Sequence, residues 1–138
     1  MPIQRNIEDA GLRAEFALPA AASTNTVSAP IDLGPIGNGI RPENVELELE
    51  VPALNATILP NSSTATLSVE ASDVDTFASG VEVLRSVTLT GAGGQGSPGA
   101  KLRSAIPSNG KRFVRGKVAF GPSTSDGSAL SAKFALKF

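Results

Sequence analysis

The segment Lys111-Arg112-Phe113-Val114-Arg115-Gly116-Lys117 gathers four cations around one aromatic ring. On an extended strand, side chains alternate between two faces, so Arg115 and Lys117 point away from Val114 and Val118. Such a row can neutralise carboxylates, track phosphates or press against another protein. The rest of the chemical repertoire is narrow. The 138 residues include no histidine, cysteine, tyrosine or tryptophan. The chain therefore lacks the usual general base near neutral pH, the soft metal ligands and the best aromatic platforms.

Other motifs have weaker claims on chemistry. Gly91-Ala92-Gly93-Gly94-Gln95-Gly96 fits the spacing of a dinucleotide fingerprint. That motif works only where a helix opens directly after it and presents its amides to the pyrophosphate. Here Ser97-Pro98-Gly99 and a strand follow, so a mobile surface loop is expected. Glu70, Asp73 and Asp75 could offer oxygens to calcium, but their spacing matches no EF-hand, and a solvated turn is the simpler reading. No serine sits in a nucleophile elbow, and the sequence-adjacent carboxylates fall on exposed strand faces or in loops. Neither enzymatic activity nor a cofactor or metal is expected. Phe113 beside the cations could stack on a base, yet one ring in a slightly acidic chain is thin support for nucleic-acid binding. Asn55-Ala56-Thr57 and Asn61-Ser62-Ser63 are glycosylation sequons by pattern alone.

The elements that must position these residues are strands. Leu12, Ala14, Phe16 and Leu18 alternate with polar residues until Pro19. Val27 to Leu33 is interrupted by Pro30, which suits a sheet edge. Residues 34–39 read as a loop. From Asn44 to Val51, Val45, Leu47, Leu49 and Val51 face one way and Glu46, Glu48 and Glu50 the other. Three carboxylates in a row need water or a basic neighbour, and Arg115 and Lys117 are candidates for that role. Thr64 to Ala71 alternates cleanly. Val81 to Thr90 does too, except at Leu84, which suggests a bulge. Lys101 to Ile106, Lys111 to Phe120 and Leu130 to Phe138 complete about eight strands, with a strong turn at Pro107-Ser108-Asn109-Gly110. No window has a helical period, though a short helix at Asp73–Ala78 would fit. The expected class is all-β, a two-sheet antiparallel sandwich with a thin core. Residues 1–10 read as an arm anchored only by Ile3 and Ile7, and residues 11–138 as the sandwich domain.

Charge is unevenly distributed. Residues 1–100 hold four basic and twelve acidic side chains, whereas residues 101–138 hold eight basic and one acidic. Closed antiparallel sandwiches interleave their chain ends, so the expectation is that the signs cancel across neighbouring strands. No stretch approaches the ~20 apolar residues of a spanning helix, and the start lacks a signal-peptide pattern. A soluble protein made in the cytoplasm is expected, with neither membrane nor nucleic acid as a partner.

Several segments together resemble a known family. Residues 106–115, Ile-Pro-Ser-Asn-Gly-Lys-Arg-Phe-Val-Arg, are similar to the loop, Lys-Arg, aromatic, aliphatic, Arg pattern that opens a penultimate strand in small phage capsid proteins. Gly121 to Phe138 resembles that family's closing hairpin. Residues 21–25 with 31–34, and residues 65–73 with Phe77, are similar to its first and central strands. The family is that of capsid cement, or decoration, proteins of the Bordetella-phage type, found in tailed phages. The resemblance covers most of residues 20–138. It implies a jelly roll on the outer surface of the virion, made in the host cytoplasm, with the major capsid protein as partner and a homo-oligomer, a dimer, on the lattice. The contact residues expected on that reading are Arg112, Phe113, Arg115 and Lys117, with the arm residues Ile3, Arg5 and Ile7 as a second surface. The alternative is a carbohydrate-binding sandwich of an adhesion module, against which the lack of tryptophan and tyrosine counts.

Overall fold

A computed structural model of the chain describes residues 8–33, 46–105 and 111–137. Nine strands and no helix occur among the described residues: β1 (Glu8–Ala17), β2 (Asn25–Val27), β3 (Ile31–Asp32), β4 (Glu46–Val51), β5 (Thr64–Ser72), β6 (Glu82–Thr90), β7 (Ala100–Ala105), β8 (Phe113–Phe120) and β9 (Ser131–Lys137). They form two antiparallel sheets. One has the order β1-β9-β4-β7; the other has the order β2-β8-β5-β6, with β3 also paired to β8. Pro30 separates β2 from β3, and both run along β8, so they act as one interrupted strand. That leaves eight strands in two interleaved sheets, a jelly roll. β1 begins at Glu8, inside the segment expected to be an arm. The 34–39 loop and the 107–110 turn lie outside the described residues.

Alternation builds the core. Leu47, Leu49 and Val51 of β4 and Phe134 and Leu136 of β9 point inward from the first sheet. Leu67 and Val69 of β5 and Val114 and Val118 of β8 meet them from the second. Each such side chain contributes roughly 1.5–3 kcal/mol on burial, so one continuous layer between the sheets holds the fold. Gly116 makes the close approach possible at the centre. A Cβ there would lie 2.8 Å from Leu49 Cδ1 and 3.2 Å from Phe134 Cβ.

The bulge at Leu84 is present. Val69 pairs with Arg85 and Glu70 with Val83, leaving Leu84 as the extra residue. Asp73 to Ala78 forms turns rather than a short helix. The glycine-rich stretch after β6 is tied down rather than loose. Gly91 bridges to Asn61 and Ser97 to Leu54, and Gly96 packs so tightly that a Cβ would fall 1.9 Å from the Leu54 carbonyl oxygen.

The expected link between the glutamate strand and Arg115 and Lys117 is wrong. The neighbours of β4 are β7 and β9, so Glu46 is flanked by Ala105 and Lys137, Glu48 by Arg103 and Ala135, and Glu50 by Lys101 and Lys133. Arg103 Nε donates to Glu48 at 2.9 Å, and Lys137 Nζ lies 3.9 Å away from the same carboxylate. Arg115 and Lys117 belong to β8 in the other sheet. The late basic strands do cancel the early acidic ones, through β7 and β9.

Candidate functional site

The outward row of β8 lies on the far face of the five-stranded sheet. Inward-pointing Val114, Gly116, Val118 and Phe120 are buried, which turns Phe113, Arg115, Lys117 and Ala119 outward. Each basic residue of this region is held differently.

Arg112, one residue before β8, grips Asp32 of β3 with two parallel hydrogen bonds, Nε to Oδ1 at 2.7 Å and Nη2 to Oδ2 at 2.8 Å. The register makes this natural, because Asp32 pairs with Phe113. The hydrogen bond, and then the charge, of Asp32 raise the Arg112 pKa above its ordinary value. The guanidinium carbon also sits 5.4 Å from the centre of the Phe113 ring, within the range of cation–π attraction.

Arg115 is held from two sides. Its register partner on β5 is Glu70, whose Oε1 accepts from Nε at 2.9 Å and lies 2.9 Å from Nη2. The Phe77 ring covers the guanidinium, with 4.2 Å between Cζ and the ring centre. Phe77 adopts φ 55°, a backbone region that costs a bulky residue about 1–2 kcal/mol. Its burial and its contact with Arg115 offset that strain.

The whole β5–β6 loop is latched down around this stack. Lys111 Nζ donates to the Gly80 carbonyl at 2.9 Å and lies 3.7 Å from Asp73. Ser72 Oγ donates to the Ser79 carbonyl at 2.8 Å and accepts from the Val74 amide at 3.1 Å. Glu70 and Asp73 are thus engaged by cations, and no group of three metal-ligating side chains gathers among the described residues.

Lys117 stands apart. Its cross-strand neighbours are Val27 and Ser68, and no carboxylate lies within ion-pair distance among the described residues. Beyond it the face becomes a ladder of hydroxyls: Ser68 opposite Ser86, Thr66 opposite Thr88 and Thr64 opposite Thr90. The Thr66 and Thr88 hydroxyls are 3.2 Å apart.

Of the residues singled out from sequence, Arg112, Phe113, Arg115 and Lys117 therefore share one face. Ile3, Arg5 and Ile7 lie outside the described residues. Sequence reasoning missed Asp32, Glu70 and Phe77 as the supports of that face. Their signal, an acid in each strand beside β8 and a lone aromatic in the following loop, becomes readable only once the strand order is known.

A second concavity lies at one end of the sandwich. Ala53, Leu54 and Asn55 face Thr90, Gln95, Ser97 and Pro98 across a cleft of about 660 Å³. Its walls carry amides and hydroxyls but no charge. Asn55 Oδ1 is already engaged by the Thr57 and Ile58 amides, at 3.0 and 2.9 Å.

No known protein family matches the chain, and no curated protein matches it. Among solved structures, the chain is similar to the K1 cleaved adhesin domain of Lys-gingipain from Porphyromonas gingivalis W83, with 18% identity and a TM-score of 0.45 over 82% of this chain. It spans 60% of that domain's length. It is also similar to CBM27-1 of Caldicellulosiruptor saccharolyticus, solved with mannohexaose, with 15% identity, a TM-score of 0.49, and 91% of this chain and 71% of that one covered. A third is the structure of Tomato aspermy virus, with 13% identity, a TM-score of 0.41, and 98% of this chain and 81% of that one covered.

Proposed function

We propose that this chain is a capsid cement protein, which docks on the outside of a phage head and strengthens contacts between subunits of the major capsid protein. The observation that carries the reading is the β8 face. Arg112 and Arg115 are fixed in place by Asp32, Glu70 and Phe77, and Arg112 lies over the Phe113 ring, before any partner arrives. A preset arginine and aromatic surface suits protein contact, because little side-chain freedom remains to be lost on binding. The jelly roll and the segment-by-segment resemblance to phage cement proteins point the same way.

The mechanism is mass action. A protein that binds the assembled lattice and not the dispersed subunits raises the free energy needed to separate them. A dimer on the lattice would grip two capsomers, and its second contact would form at high effective concentration. The test is co-sedimentation of the purified protein with stripped mature heads and, separately, with immature heads. Binding to mature heads is expected, and binding to neither rejects the proposal.

The second reading is a carbohydrate-binding module, favoured by the uncharged cleft beside Asn55 and Gln95. Hydroxyl and amide walls suit a sugar, while the lack of tryptophan and tyrosine removes the usual stacking platform. Glycan-array hits that vanish on Gln95→Ala would favour it.

A further inference from the structure

The four sheet edges are defended unequally. An edge strand exposes unpaired amides and carbonyls, and natural sheets blunt this with charge, proline or shortness. β1 carries Arg13 and Glu15 at its exposed positions, and β7 carries Lys101 and Arg103. β2 and β3 have three and two residues and are separated by Pro30. β6 has nine residues, no proline and no lysine, and pairs only with β5 among the described residues; its two charges, Glu82 and Arg85, both lie in its first half. Its second half, Ser86 to Thr90, is uncharged.

β6 is also apolar where it should be polar. Val83 is 53% exposed and Val87 38%, and Val81, just before the strand, is 41% exposed. These are three of the five exposed large hydrophobics among the described residues. Val87 pairs with core-facing Leu67, so its side of β6 looks inward, yet it stays partly open to water. Exposure on both faces of a long edge whose second half is uncharged is the form that accepts an added strand.

The charge selects the occupant. Arg85 sits near the centre of β6 across from Val69, with no acidic partner among the described residues. A second copy fits poorly. Full antiparallel overlap of β6 with itself centres on Ser86 and sets Arg85 opposite Val87. The two arginines then become diagonal neighbours about 7–8 Å apart on one face, a repulsive pairing. A glutamate at the matching place on a different chain would instead be attracted. We infer that the β6 edge docks an extended segment of a partner protein by strand addition, one that alternates β-branched residues and carries an acid beside Arg85. This inference stands independently of the cement reading.

The test uses the whole chain, labelled with ¹⁵N, and a capped nine-residue peptide of alternating valine and threonine with glutamate at its sixth position, which faces Arg85 in full antiparallel overlap with β6. Amide shifts confined to residues 82–90, saturating below about 1 mM peptide, are expected. Arg85→Gln should weaken binding several-fold, and Arg85→Glu should reverse the preference toward the same peptide with lysine in place of that glutamate. A peptide with two prolines should not bind. Unmoved β6 amides, or shifts centred elsewhere, would overturn the inference. So would β6 shifts that grow with protein concentration alone, which would identify a second copy as the occupant.

Discussion

Glu70 and Arg115 face each other across β5 and β8, and both side chains are largely withdrawn from water, at 7% and 18% exposure. The pair binds the outer face of the sheet to the loop that carries Phe77. Removing one member strands the other, which costs more than deleting both. Arg115→Leu is expected to destabilise the fold by about 3–5 kcal/mol. The double change Glu70→Met with Arg115→Leu should recover most of that loss. Urea unfolding of the single and double variants measures both.

Lys117 shares the face but has no such internal role. Lys117→Glu should change the urea midpoint little, within about 0.5 kcal/mol of stability. If the face contacts a capsid, the same change should sharply reduce co-sedimentation with mature heads. Arg115→Glu, by contrast, should fail through unfolding, so only Lys117 separates contact from stability.

Gly93 and Gly96 both have positive φ, 62° and 69°, but different surroundings. Nothing lies within 4 Å of a Cβ at Gly93, whereas one at Gly96 would collide with the Leu54 carbonyl oxygen. Gly93→Ala should cost only the backbone strain, about 1–2 kcal/mol. Gly96→Ala should cost more, because the Leu54–Ser97 bridge must open as well. Thermal unfolding of the two variants ranks them.

Asp126 accepts hydrogen bonds from the Ser128 hydroxyl and amide, at 2.5 and 2.8 Å, which lower its pKa below the ordinary 3.8. A depressed carboxylate stabilises the fold above its unfolded pKa and ceases to do so as pH falls through its folded one. The turn before β9 should therefore loosen only in acid, below about pH 4. Asp126→Asn should remove that part of the acid dependence. A carbon-detected titration of Asp126 reads the effect directly.

The outward or inward sense of nearly every described strand was legible from alternation alone. Leu84 even announced its bulge, since the pairing passes over this one residue of β6 while β5 continues unbroken from Val69 to Glu70. Strand order was not legible, and the errors follow from it. Glu46, Glu48 and Glu50 demanded cations, but only the topology could say that β7 and β9 supply them rather than β8. Likewise the outward row of β8 was visible, but not that Asp32, Glu70 and Phe77 would fix its arginines. Those supports come from residues 38 to 80 positions away, brought close by register.

The placement of β8 and β9 has a consequence during synthesis. β9 lies between β1 and β4, and β8 between β2 and β5, so each sheet is split in two until residues 113–137 have left the ribosome. A chain cut short before them keeps exposed halves of both sheets, so neither sheet closes until both late strands are in place.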